Sequence, residues 1–220
     1  MHMLKFPCLV LDHDDTVVQS EKTIGHPFFR EYLQRTRPGT TISLPEYIKG
    51  CCEYGFADMC RKFWNFSEEE LVSEYELWME YIRHHIPDPY PGIKDILLKH
   101  KSLGGKIFVV SHSSNEIISR DYQTHFGFLP DGIYSWDLPE EKRKPSTYAL
   151  EDIISKHGYT KEQILVLDDL MLGCTMAKNA GVAIAFAGWS KEDLPELAKE
   201  MQASCDYSFY TCTELDSFLF

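Results

Sequence analysis

The chain has 220 residues, of which 44% are hydrophobic and 13% aromatic, enough to bury a core and too apolar for a disordered polymer. Its 34 acidic and 22 basic residues leave a formal net charge of −12. That balance excludes a nucleic-acid backbone or an anionic membrane as a default partner, and it requires any phosphate site to be locally positive or metal-assisted. The seven cysteines are scattered, without Cys-x-x-Cys or Cys/His ligand spacing, and read as reduced thiols of a cytoplasmic protein.

The opening Met1-His2-Met3-Leu4-Lys5 has no leader pattern, so no signal peptide is expected. Residues 6–11 form an apolar run that stops abruptly at Asp12-His13-Asp14-Asp15-Thr16, as a buried parallel strand does when it ends at a site. Residues 17–90 then show no strand pattern. Helical stretches are expected over 45–52 and 67–85, the second opened by Ser67 with acids in its first turn. Pro87, Pro89 and Pro91 punctuate the return.

From residue 91 onward, helix and strand alternate. A helix over 93–103, with Ile93, Ile96, Leu97 and Leu103 as its apolar face, is stopped by Gly104-Gly105. A strand over 106–110 ends at Ser111-His112-Ser113-Ser114. Weaker strand signals lie at 132–135 and 206–209. Lys144-Pro145 precedes a helix over 146–157, and Thr160 to Gln163 has capping-box spacing. Strands over 164–167 and 182–186 follow, the first closed by Asp168-Asp169. Such alternation predicts an α/β fold, a Rossmann-like parallel sheet flanked by helices, with an all-helical insertion after the first strand. The expected division is 1–16 plus 91–220 as the core and 17–90 as the insertion.

In an open parallel sheet, ligands gather beyond the carboxyl ends of the strands. The residues at those ends suit phosphoryl transfer. Asp12 and Asp14 leave the strand in related directions, so one carboxylate can attack phosphorus while the other protonates the leaving oxygen. Carboxylates on neighbouring strand ends suit a magnesium ion, and a hydroxyl and a lysine can hold the remaining phosphate oxygens. Each cluster alone has a plainer explanation: a solvated acidic loop, a helix cap at Ser111 or Asp168-Asp169, a basic surface patch at 142–144. Their order along the chain points to one shared site.

The run Leu9-Val10-Leu11-Asp12-His13-Asp14-Asp15-Thr16 resembles the first motif of the haloacid dehalogenase superfamily. Val110-Ser111, Lys144-Pro145 and Leu167-Asp168-Asp169 resemble its second, third and fourth. The resemblance implies that Asp12 is the nucleophile and Asp14 the general acid and base. It implies that Ser111 binds the phosphoryl group and that Lys144 bridges nucleophile and phosphate. Mg2+ would lie among Asp12, the backbone carbonyl of Asp14 and Asp169, with Asp168 supporting or ligating. The insertion would be a helical cap. Three positions depart from the common pattern. Asp15 replaces a frequent Gly, and Gly173 replaces a further Asp, as in β-phosphoglucomutase-like and phosphoglycolate phosphatase-like members. Leu170 stands where Ser is frequent, which removes one supporting hydroxyl.

The expected activity is magnesium-dependent hydrolysis of a small phosphorylated metabolite by a monomer or weak homodimer. The alternatives are a β-phosphoglucomutase-type mutase, suggested by Lys49-Gly50, a phosphonatase using Lys49, and a non-catalytic binding member. Dehalogenation is disfavoured because Asp14 is present. Candidate substrate-contacting residues are Lys49, Glu53, Tyr54, His13 and His112; His13 can equally serve local packing.

Overall fold

The computed structural model describes residues 4–220, so the N-terminal residues 1–3, on which the leaderless reading partly rests, lie outside it. The first strand, β1 (Cys8–Leu11), is buried along its whole length. A π-helical turn, Glu21–Gly25, leads into α1 (His26–Thr36), followed by α2 (Leu44–Tyr54), α3 (Phe56–Trp64) and α4 (Glu68–His84). The remainder alternates: α5 (Ile93–Ser102), β2 (Lys106–Val110), α6 (Asn115–Phe126), β3 (Gly132–Tyr134), α7 (Tyr148–His157), β4 (Ile164–Asp168), α8 (Met171–Ala180), β5 (Ala183–Ala187), α9 (Pro195–Ser204), β6 (Tyr207–Phe209) and α10 (Cys212–Leu219).

The chain divides into two compact units, Gln19–Asp88 and the segments on either side of it. The division falls two residues inside each limit read from the sequence. Val17 and Val18 are buried among the apolar residues of the sheet unit, and Tyr90 N donates to Val17 O at 3.0 Å.

In the sheet unit all six strands are parallel, in the order β3-β2-β1-β4-β5-β6. Side chains alternate across each strand. Leu9, Leu11, Ile107, Val109, Leu165 and Leu167 accordingly pack on one face with Ile93, Ile96 and Leu97 of α5, Ile118 and Tyr122 of α6, and Leu215 and Leu219 of α10. Cys8, Val10, Phe108, Val110, Ile164, Val166, Ile184 and Phe186 pack on the other, with Ala149, Leu150 and Ile153 of α7 and Cys174, Ala177 and Met201 beyond. Continuous apolar runs are what two covered faces require. This is the Rossmann-like sheet that the alternation predicts. Strand order reverses between β1 and β4, the switch point where open α/β sheets place their ligands.

Two sequence-read details differ. The α5 helix ends at Ser102, and Leu103 is 47% exposed rather than part of its apolar face, because the chain turns at Gly104 with a φ of 88°. The capping box of Thr160 and Gln163 is present, but it closes a single 3-10 turn ahead of β4.

The helical unit is built on aromatic packing. Phe29 of α1 meets Phe56 and Trp64 at ring distances of 5.2 and 5.5 Å, and Phe28 meets Trp78 at 5.3 Å. Ser43 and Ser67 open α2 and α4 with complete capping boxes, each satisfying two orphan backbone donors. Lys49-Gly50 lies inside α2 and not in a loop. A side chain at Gly50 would run into Met59 of α3, so close helix packing accounts for the glycine. Among the described residues no helix is long and apolar enough to cross a membrane, and all seven cysteines are free thiols.

Candidate active site

The β1–β4 pairing fixes the site. Asp12 N donates to Leu167 O at 2.9 Å, extending the ladder by one residue so that Asp12 and the pair Asp168-Asp169 emerge side by side. One carboxylate oxygen from each of these three buried residues lies within 4.8 Å of the others. The loop after Asp12 folds back on itself, with His13 O accepting from Val17 N at 2.9 Å and from Val18 N at 3.1 Å. Asp15 takes a φ of 54° in this turn. That left-handed conformation explains why a glycine is natural there and why aspartate, one of the residues that tolerates it, can replace it.

Lysine and hydroxyl groups meet these acids. Lys144 follows a 3-10 turn, Glu140–Lys142, and its peptide bond to Pro145 is cis. Its side chain is 6% exposed, and Nζ lies 2.7 Å from Asp12 Oδ1 and 2.8 Å from Asp168 Oδ2. Burial works against the charge of Lys144, but Asp12 and Asp168 outweigh it and hold the ammonium above the ordinary lysine pKa. Burial pushes Asp168 up, opposed by Lys144, and pushes Asp169 up, opposed by Lys191. From the end of β2, Ser113 Oγ donates to Asp14 Oδ2 at 2.5 Å, and Ser111 Oγ donates to the same oxygen at 3.5 Å. Asp14 is only half-buried, unlike Asp12.

Gly173, in the first turn of α8, has no room for a side chain: a Cβ there would overlap the Asp168 carboxylate. A second acid at that position is therefore incompatible with this packing. Leu170 removes a hydroxyl, yet its backbone N donates to Asp168 Oδ1 at 3.0 Å, so Asp168 keeps a supporting bond.

Asp12, Asp14, Ser111, Lys144, Asp168 and Asp169 thus form one connected cluster. His112 is exposed beside it, with Nε2 donating to Lys144 O at 3.2 Å. His13 turns away from the carboxylates on either side of it. It is fully buried and paired through Nε2 with Asp121 Oδ2 of α6 at 3.0 Å. Burial disfavours its charge, but the bond to Asp121 together with the negative charges of Asp14, Asp121 and Asp12 outweighs this and raises its pKa. The packing role is the one the structure gives it. In the helical unit, Lys49 and Glu53 are exposed on α2, and Tyr54 donates its hydroxyl to Glu53 at 2.6 Å.

Sequence reasoning missed four contributors. Ser113 is nearer Asp14 than Ser111 is. Thr16 Oγ1 donates to Asp169 Oδ1 at 3.3 Å, and Trp189 Nε1 donates to Thr16 O at 3.1 Å. Lys191 places Nζ 2.5 Å from Asp169 Oδ2. Of these, Thr16 stood inside the first motif and Ser113 in the run that closes the second strand.

A family profile described as haloacid dehalogenase-like hydrolase matches residues 9–187, from β1 through β5. The chain belongs to this family. Solved structures share the fold of this haloacid dehalogenase-like protein over nearly its whole length. A predicted phosphoglycolate phosphatase from Haemophilus somnus is 18% identical, covering 98% of this chain and 99% of its own, with a TM-score of 0.76. CbbY from Rhodobacter sphaeroides, solved in complex with phosphate, is 19% identical over 97% and 96%, with a TM-score of 0.71. A haloacid dehalogenase-like family protein from Streptococcus pneumoniae is 16% identical over 98% and 99%, with a TM-score of 0.73. No curated protein matches the sequence.

Proposed function

We propose that this chain is a magnesium-dependent phosphatase that hydrolyses a small phosphorylated metabolite in the cytoplasm through an aspartyl-phosphate at Asp12. The observation that carries the reading is the ion pair of Lys144 with Asp12 and Asp168 at 2.7 and 2.8 Å, next to a second acid, Asp14, that stays outside this pair. In the proposed reaction an Asp12 oxygen attacks phosphorus, and the bond to the ester oxygen breaks. Asp14 gives its proton to that leaving oxygen and then accepts one from the water that attacks the aspartyl-phosphate. Ser111 and Lys144 hold the phosphoryl oxygens, so their charge is met by groups already in place.

The donor set fits a hard divalent cation: oxygens of Asp12, Asp168 and Asp169, all buried and within 4.8 Å of one another. When bound, magnesium would offset the repulsion between the carboxylate nucleophile and the phosphate. CbbY has been solved with xylulose 1,5-bisphosphate and with phosphate, which supports a phosphorylated carbon compound as the class of substrate. The unit Gln19–Asp88 is proposed to serve as the cap, with Lys49, Glu53 and Tyr54 selecting the leaving portion of the substrate. A mutase reading loses its sequence support, because Lys49-Gly50 lies within a helix whose glycine is explained by Met59.

The test is p-nitrophenyl phosphate hydrolysis with and without Mg2+ by the wild type and Asp12→Asn. Magnesium-dependent turnover reduced by at least about 10³-fold in the variant is expected, since the covalent route needs the carboxylate. Equal turnover by the two proteins would remove Asp12 from the chemistry.

A further inference from the structure

Lys191 follows the turn Gly188–Ser190, which leaves the end of β5. Its side chain is 1% exposed, and an ammonium is costly to bury unless paired. Nζ lies 2.5 Å from Asp169 Oδ2 and 3.5 Å from Asp15 Oδ2. Lys144 takes Asp12 and Asp168. Four buried carboxylates therefore share two buried lysines, an oxygen-rich cluster that suits one divalent cation.

The same short turn fixes Asp169 from both sides. Thr16, held through its carbonyl by Trp189, donates to Asp169 Oδ1, while Lys191 meets Oδ2. With both oxygens engaged, the carboxylate cannot rotate freely. A neutral side chain of similar length, such as methionine, would serve a packing role equally well, so the charge is the property that calls for an account.

We propose that Lys191 is a positioning residue and built-in counter-charge, which orients Asp169 and limits how tightly a divalent cation is held beside it. The inference deepens the phosphatase reading, from which it takes Asp169 as a ligand. An ammonium on Asp169 Oδ2 competes for the charge of that carboxylate and would repel a cation beside it as a like charge. A site without it would bind metal more tightly, and in the metal-free protein it would leave Asp169 and Asp15 without their shared counter-charge. The lysine thus exchanges affinity for a site that stays ordered with and without its cation.

The measurement is titration of Mn2+ alone into the full, phosphate-free chain, following free Mn2+ by its paramagnetic resonance signal. Lys191→Met is expected to tighten binding by at least about tenfold, from the loss of one like charge beside the cation. Lys191→Arg keeps the charge and is expected to bind as the wild type does. Asp15→Asn removes an anion from the other side of the pair and is expected to weaken binding. Unchanged or weaker binding by Lys191→Met would overturn the inference, since a merely structural lysine has no reason to oppose the metal. Should that variant fail to fold, unaltered binding by Asp15→Asn overturns it equally. The Asp12→Asn turnover assay reports separately. Inert wild-type protein whose Lys191→Met form binds Mn2+ more tightly would retire the phosphatase reading alone, and active protein with no tightening would retire this inference alone.

Discussion

In the sheet unit Asp12, Asp15, Asp168 and Asp169 are all buried, yet each lies within ion-pair reach of Lys144 or Lys191. In the helical unit Glu74 of α4 is 5% exposed, and among the described residues its carboxyl group has no ion pair or hydrogen bond. Burial alone pushes its carboxyl up to about 7. A cation beside a buried acid favours its charged form, whereas burial without one favours the protonated form. The first arrangement suits a nucleophile and metal ligands, which must be anionic. The second requires nothing of its surroundings and makes the helical unit sensitive to pH. The contrast teaches that burial favours the proton in both units, and that in the sheet unit a lysine opposes it while nothing does so at Glu74.

The largest expected effect breaks the first arrangement. Lys144→Met leaves Asp12 and Asp168 buried without their shared cation, and loss of one member of a buried pair costs about 3–5 kcal/mol. Urea unfolding at neutral pH should show that loss, and p-nitrophenyl phosphate turnover should fall by at least about 10²-fold. A midpoint equal to that of the wild type would mean that the acids are neutral and the pairing inconsequential.

Glu74 offers the next effect, and its sign follows from its raised pKa. Below its ordinary value of 4.5 the carboxyl is protonated whether folded or unfolded, and its contribution is complete. As pH rises from there through about 7, the unfolded chain ionises first, and stability is lost. Above that window both states are charged and the slope vanishes. The loss across the window is on the order of 3 kcal/mol. Glu74→Gln should remove this slope and be more stable than the wild type at pH 8. Parallel stability–pH curves for the two proteins would show that Glu74 is ionised in the fold.

The smallest effect belongs to an exposed pair. Lys99 and Asp216 meet at 3.1 Å with side chains 44% and 41% exposed. Water already solvates both, so Asp216→Asn should shift unfolding by no more than about 0.5 kcal/mol. A change as large as that of Lys144→Met would erase the distinction between buried and exposed pairs.

Much of the sheet unit was legible because a doubly covered parallel strand must be continuously apolar, and its end at an acid is abrupt. Leu9-Val10-Leu11 before Asp12, and Leu165-Val166-Leu167 before Asp168, both carry that signature. Ser111 and Lys144 were legible only through their order relative to those acids. Lys191 was not legible at all. It sits in Trp189-Ser190-Lys191-Glu192-Asp193, which reads as a solvated polar turn, and nothing local distinguishes a lysine that folds inward. His13 was ambiguous for the same reason, since its partner Asp121 lies far away in sequence on α6.

The sequence by itself determined the strand and helix alternation, the helical insertion and the acids at the strand ends, because periodicity and abrupt changes of polarity are local properties of the chain. Tertiary structure alone decided which acid each lysine serves, why Gly173 admits no side chain, and that Glu74 is buried without a cation. Those outcomes depend on distances between residues remote along the chain, which are set only when β1 and β4 lie side by side and the helices pack.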